Sequence, residues 1–270
     1  VICAIAHTAI AAPGTPSLQR ARQAWDEGEL DQAERAYEDA LDKGGLDRAA
    51  TLECFVHLGA ARSVLGNKSG ALTAFRMALF VDDAFVVPPE AGKKAVVLAE
   101  AARRQPSRVG SLHLTLNVPS EAPSGEAFAV NAMLDTAQAA LVGHLALHVD
   151  DKTTHKSFDH DEPAAAVVRF SVPASMTLPN ATLHIQVDAL DNHDNQLAFA
   201  EEHVGVRPTP IAETYHAKDE LRHAHGGFWS TAWPYVIGGA LIAAGGATTA
   251  YFLLKPPAQV SIDPAQLQTH

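Results

Sequence analysis

The sequence predicts an α+β multidomain chain: helical hairpins, then an antiparallel β-sandwich, then a single transmembrane helix. Three observations predict it. From Ser17 to about Gln105, apolar residues recur at helical spacing in sets divided by glycine turns. From Ser107 to Pro208 the period falls to two, in short runs separated by Pro, Gly, Asn and Asp. Between Arg222 and Lys255 there is no Asp, Glu, Lys or Arg, and Trp233 to Leu254 reads WPYVIGGALIAAGGATTAYFLL. The expected boundaries are 1–16 for a signal-peptide remnant and linker, 17–106 for the helical part and 107–208 for the sandwich. A juxtamembrane linker over 209–232, the membrane helix over 233–254 and a tail over 255–270 complete the chain.

The first segment is apolar from Val1 to Ala12 apart from His7 and Thr8. Ala9-Ile10-Ala11 has the small-x-small form of a cleavage site, and Pro13-Gly14 follows. This reads as the end of a secretory signal peptide, with a mature chain starting near Ala12. A lipid on Cys3 is the weaker alternative, because the run after it is apolar where a tether would be polar.

In the helical part, Ala33, Tyr37 and Ala40 fall at i, i+4 and i+7 and share one face. Ala71, Phe75 and Ala78 repeat that set. A turn glycine, Gly28 or Gly66, precedes each set by five residues. Leu58-Gly59 lies upstream of the second set, with Phe55 one turn earlier. Antiparallel helices cross closely where side chains are small, and the expected small contact is Gly59 against Ala71. Pro88-Pro89 opens a further helix, Glu90 to Arg104, whose face of Ala95, Leu98, Ala99 and Ala102 suits an end cap.

This arrangement resembles the tetratricopeptide repeat. The second unit, about Thr51 to Phe85, carries Phe55, Leu58, Gly59, Gly66, Ala71, Phe75 and Ala78 at motif positions. The first, about Ser17 to Gly45, matches in its second half through Gly28, Ala33, Tyr37 and Ala40, while Ser17 and Arg20 replace the leading aromatic and Leu. The period is about 38 residues where the family has about 34, so the link from Lys43 to Ala50 is expected to be extended. The resemblance implies a partner-binding groove lined by polar residues of each pair's first helix. Candidates are Arg22, Gln23, His57 and Arg62. The plainer alternative is that two repeats are too few for a groove and simply pack on the sandwich.

The strand part contains GSLHLTLNV, EAFAVNAML, LVGHLALHV, AAVVRFSV, ATLHIQVDAL and QLAFAEEHV. About six or seven such strands in about 100 residues predict an antiparallel sandwich. Leu183 to Ala200 reads as a hairpin turning at Asp191 to Asn195. The block resembles an immunoglobulin or fibronectin type III-like module, although it has no Cys-Trp-Cys core.

About 22 residues at 1.5 Å per residue span roughly 33 Å, enough for a bilayer core with some tilt. Phe228, Trp229, Trp233 and Tyr235 edge one end and Tyr251 and Phe252 the other, where aromatic rings favour the headgroup level. Gly239, Ala243 and Ala247 are spaced by four, as are Ala240, Ala244 and Thr248, with Gly246 and Ala250 extending the ridge. Such residues let two helix backbones approach, which implies a homodimer or a partner helix. An Ala- and Gly-rich anchor filled without selection for packing is the alternative. Lys255-Pro256-Pro257 ends the helix.

Composition narrows the chemistry. A formal charge of -11 argues against nucleic acid and against an electrostatic grip on anionic lipid. Two cysteines, Cys3 and Cys54, make no disulfide framework. The densest ligand-bearing stretch is His148-Val149-Asp150-Asp151, then His155, then Asp159-His160-Asp161-Glu162. Imidazole and carboxylate are zinc and calcium chemistry. However, none of these histidines has the i, i+4 spacing of H-E-x-x-H, and the calcium-loop spacing is absent. The expectation is a solvated strand-turn-strand without metal, leaving His148, Asp150, His155 and His160 as the candidate ligands if one binds. Asp188, Asp191, His193 and Asp194 read as a second acidic turn, and His216, His223 and His225 as a polar linker. Gly66-Asn67-Lys68-Ser69 lacks the glycine spacing of a phosphate loop and reads as a helix–helix turn. No nucleophile elbow, redox cysteine pair or dinucleotide fingerprint occurs, so no enzyme and no cofactor is expected.

The order of parts resembles a class of bacterial, myxobacterium-like cell-envelope proteins. It implies a single-pass inner-membrane protein with its ectodomain in the periplasm, acting as a scaffold that binds another envelope protein. Two alternatives stay open. One is a ligand- or metal-sensing ectodomain that signals through a membrane partner. The other is a cytosol-facing, tail-anchored adaptor.

Overall fold

The computed structural model describes residues 12–104 and 110–208. The leader, the histidine linker, the membrane helix with its Gly239 to Ala250 ridge, and the tail lie outside the described residues. Among the described residues no helix is long and apolar enough to cross a membrane.

Among the described residues six α-helices and eight strands follow one another in an α+β order. The first four helices are α1 (Thr15–Asp26), α2 (Leu30–Lys43), α3 (Arg48–Leu65) and α4 (Lys68–Val81). Their ends are set by local chemistry. Asp47 caps α3 by accepting from the Ala50 amide at 2.7 Å, and Asn67 caps α4 by accepting from the Gly70 amide at 2.9 Å. Gly66 closes α3 with φ +90°, a left-handed conformation that suits a residue without Cβ. Short connections fold α1 on α2 and α3 on α4 as antiparallel pairs, and α2 packs on α3. Both periodic sets point inward: Ala33, Tyr37, Ala40, Ala71, Phe75 and Ala78 are all fully buried.

The small contact differs from the one expected. A Cβ added to Gly59 would lie 2.7 Å from the Phe75 ring. The glycine therefore makes room for an aromatic ring from α4, where the sequence suggested Ala71. A 3-10 turn (Pro89–Ala91) leads into α5 (Gly92–Arg104), so the α-helix itself starts two residues after Glu90. Ala95, Ala99 and Ala102 of α5 are buried against α3 and α4, with Leu98 partly buried beside them.

The strands form two sheets. β1 (Thr115–Asn117), β3 (Phe128–Met133) and β6 (Val167–Val172) make one, in the order β1-β3-β6. β2 (Glu121–Ala122), β4 (His144–Asp151), β5 (Lys156–Pro163), β7 (Thr182–Leu190) and β8 (Gln196–Val206) make the other, in the order β2-β8-β7-β4-β5. A short helix, α6 (Thr136–Ala139), lies between β3 and β4. One core joins the sheets: Val130 and Phe170 from the first meet Leu145, Leu147, Leu183, Ile185 and Val187 from the second. All six strand runs read from sequence appear, and β7 and β8 pair around the Asp191 to Asn195 turn.

Two strands escaped the pattern. β5 is KSFDHDEP, an edge strand exposed along most of its length, so polar residues fill positions that a central strand gives to apolar ones. β2 has two residues and runs parallel to β8. The second sheet is thus mixed, not purely antiparallel, because the chain reaches β8's open edge by crossing from the other sheet.

Helices and sheets meet in one compact unit. The β7–β8 turn sits in the α2–α3 link. The Asn195 side chain is fully buried; it donates to the Leu41 carbonyl at 2.8 Å and accepts from the Leu46 amide at 3.2 Å. The Gln196 amide donates to the Leu46 carbonyl at 2.8 Å, and the Gly45 amide to the His193 carbonyl at 3.1 Å. Phe80 and Val81 at the end of α4 belong to the core of the sheets.

Candidate functional site

Of the four residues expected to line a groove, Arg22 and His57 both meet Glu53, while Gln23 bonds along α1 and Arg62 turns to α2. Arg22 of α1 donates from Nε and Nη2 to both carboxylate oxygens of Glu53 on α3, each at 2.6 Å. That hydrogen bond raises the Arg22 pKa. Gln23 donates to Glu27 one turn along α1 at 2.9 Å. His57 is wedged between rings, edge-on to Trp25 at 4.9 Å and stacked on Tyr37 at 5.3 Å, with Nδ1 3.0 Å from the Glu53 carbonyl. Arg62 follows Glu53 by nine residues, about half a turn away in azimuth on a helix of 3.6 residues per turn. It faces α2, donating to Glu34 at 2.9 Å and pairing with Glu38. Arg22 and Arg62 therefore tie helices together, each by its own carboxylates. Sequence spacing cannot show this, because the partners lie 31 and 28 residues away.

Beside this seam lies an open cleft of about 410 Å³. Trp25 and Asp26 at the end of α1, Leu30 at the start of α2, Val64 near the end of α3, and Glu90 and Ala91 of the 3-10 turn line it. The hydrophobic floor continues outward, since Val64 and Leu65 keep 45% and 39% of their surface in water. Exposed apolar surface between structural elements marks an interaction site more often than isolated exposed residues do. Trp25 was the signal available from sequence: it is the sole tryptophan of the helical part. Its ring is partly buried against the helical core and His57, with the rest open to the cleft.

A second cleft, of about 480 Å³, opens between α1 and α2 around Arg20, Arg35, Asp39 and Lys43. Asp39 accepts from Lys43 Nζ at 2.7 Å, from Ser17 Oγ at 2.6 Å and from Arg20 at 2.9 Å. These bonds, from Lys43 first, hold its carboxyl at about 2. Its single negative charge is shared between two of the three surrounding cations, Arg20 and Lys43.

The interior holds two further polar groups. Tyr37 is buried and its hydroxyl has no hydrogen-bond partner among the described residues, and burial pushes its pKa upward. The Cys54 thiol beside it is buried too, and desolvation lifts it to about 12. A thiol held in its neutral form in an apolar setting is a poor nucleophile.

The candidate metal ligands are dispersed. β4 and β5 make the expected strand-turn-strand. His148 and Asp150 lie two apart on β4 and share the outer face of the second sheet. His148 contacts two carboxylates at opposite ends of its ring: Nδ1 is 2.7 Å from Asp159 and Nε2 is 3.6 Å from Asp188. His155 sits in the turn at φ +55°. His160 pairs in register with the inward Leu147, so it lies on the opposite face from His148 and packs edge-on to Phe170 at 6.2 Å. Across β7 and β8, His184 faces His203 at 4.9 Å and contacts Glu201 at 2.9 Å. Among the described residues no three such side chains converge on a point where an ion could bind. Asp151 instead organises its own turn: burial opposes its charge, but hydrogen bonds from Thr154 and Thr153 outweigh that and lower its pKa. Asp191 of the other acidic turn likewise accepts from the amides of His193 and Asn195, at 2.8 and 2.9 Å.

No protein-family model matches the chain, and no curated protein matches it.

Proposed function

We propose that this chain is a non-enzymatic, membrane-anchored scaffold of a bacterial envelope that docks another protein. The observation that carries the reading is the Trp25 cleft, an apolar floor left open where four helical elements meet. In this reading α1 to α4 are tetratricopeptide-like hairpins. The buried Ala-Tyr-Ala and Ala-Phe-Ala faces and the glycine turns support that. The two-sheet block is the immunoglobulin or fibronectin type III-like module, supported by its shared core. The docking surface shifts from the Arg22 to Arg62 set, whose charges are internally paired, to the cleft next to it. The uncharged stretch over 233–254 supplies the anchor, in the inner membrane with the ectodomain in the periplasm, and the small-residue ridge offers a helix–helix contact there.

The test places a photoreactive amino acid at Leu65, beside the cleft, and at Lys152, in the distant β4–β5 turn, of the full chain in its native cell. The expected outcome is a discrete adduct from position 65 that position 152 does not give. Identical patterns from both positions, or none from 65, contradict the reading.

A further inference from the structure

The Trp25 cleft has a polarity as well as a shape. Its apolar floor is Trp25, Leu30, Val64 and Ala91, drawn from four separate elements. Its two charged lining residues, Asp26 and Glu90, are both acidic and both exposed, and they stand on different elements. Neither has an ion-pair partner among the described residues. Other carboxylates of the region are engaged: Glu53 holds Arg22, and Glu34 and Glu38 hold Arg62. Glu27 and Glu29 add two exposed acidic groups beside Asp26. Arg22, the cation of the adjoining seam, is spent on Glu53 through two hydrogen bonds, and Lys93 and Lys94 of α5 are exposed outside the cleft lining. The cleft is therefore an apolar slot between two unpaired negative charges.

The geometry points to a partner segment that carries an apolar anchor side chain flanked by lysine or arginine on both sides. This rests on the docking reading above and names the chemistry of its ligand. The anchor displaces water from Trp25 and Val64, which supplies affinity through buried apolar area. The flanking cations meet Asp26 and Glu90, which fixes register and speeds encounter. An acidic segment is disfavoured twice, by direct repulsion and by the chain's overall charge of -11. The anchor must be compact, because a cleft of about 410 Å³ holds one or two side chains and not a folded element.

The test is fluorescence anisotropy with the full chain in detergent and three labelled ten-residue peptides. The first has a central leucine pair with two lysines on each side. The second has glutamates for the lysines, and the third has serines for the leucines. The lysine–leucine peptide is expected to bind, to weaken at least tenfold between low and high salt, and to outbind both others by at least tenfold. Asp26→Lys with Glu90→Lys is expected to reduce its affinity at least tenfold. Asp161→Lys, on β5, makes a charge change of the same kind away from the cleft and is expected to leave it unchanged. Circular dichroism confirms that each exposed-site variant is folded. Equal binding of the glutamate peptide, equal loss in Asp161→Lys, or no binding of any peptide overturns the proposal. If the position 65 crosslink still forms in that case, docking stands and only the assigned chemistry falls. If both fail, the docking reading falls as well.

Discussion

Asp39 shows how one side chain ties local structure to stability. It accepts hydrogen bonds from Lys43, Ser17 and Arg20, and so joins the end of α2 to the start of α1. Its pKa in the folded state lies below the ordinary value. The ionised group therefore stabilises the fold above pH about 3.8, and this contribution fades as pH falls through about 2. Asp39→Asn is expected to remove part of the acid dependence of the urea midpoint between those values, with little effect at neutral pH on the slope against pH. An unchanged acid limb would contradict the assignment. The Arg22–Glu53 pair is open to water as this network is, with side chains 52% and 23% exposed against 63% and 41% for Arg20 and Asp39. Water therefore screens the pair, and about 1 kcal/mol or less is at stake despite the two short bonds. These residue-level pairings were illegible beforehand. An isolated Arg on a predicted first helix looks like a groove residue until the chain brings a carboxylate to it.

At the scale of elements, glycines separate two kinds of constraint. Gly66 and Gly44 both have positive φ at helix ends, +90° and +73°. A Cβ at Gly66 would meet nothing within 4 Å, whereas one at Gly44 would lie 1.6 Å from the His193 carbonyl oxygen. Gly66→Ala is therefore expected to cost about 1 kcal/mol, the strain of a left-handed alanine. Gly44→Ala is expected to cost more than about 3 kcal/mol, since the β7–β8 turn must also retreat. Urea denaturation of both variants checks the ordering, and equal costs would mean that the turn moves freely. The helical elements were legible because their buried faces repeat Ala-x3-aromatic-x2-Ala behind a glycine turn, a signal that survives tertiary packing. The hairpin of β7 and β8 was legible through alternation and a polar turn. β5 was not, because an edge strand need not bury a face. Nor was β2, because two residues carry no period. The link expected over Lys43 to Ala50 is confined to residues 44–47, and most of the long repeat spacing is taken up by α3, which runs for 18 residues.

For the molecule as a whole, the described helices and sheets behave as one unit because the β7–β8 turn satisfies backbone groups of α2 and of the α2–α3 link, and Phe80 and Val81 enter the core of the sheets. Asn195 serves Leu41 and Leu46 and is itself held by Asp191 at 2.9 Å. Asn195→Ala leaves a buried amide and a buried carbonyl without partners, and is expected to cost about 2–4 kcal/mol. Ellipticity, dominated by the helices, and hydrogen exchange of the β7 and β8 amides should report one unfolding transition in the parent chain, and separate transitions would contradict the shared core. The position of the cleft follows from this joining: the sheets fix one end of the hairpins, and the opposite rim, where α1, α3 and the 3-10 turn meet, stays free to receive a partner. The most direct measurement is hydroxyl-radical footprinting of Trp25 and Val64 in intact native membranes against the purified full chain. The account predicts that both side chains are protected in membranes and reactive once purified, while exposed side chains on β5 react alike in the two states. Equal reactivity of Trp25 and Val64 in both would contradict it.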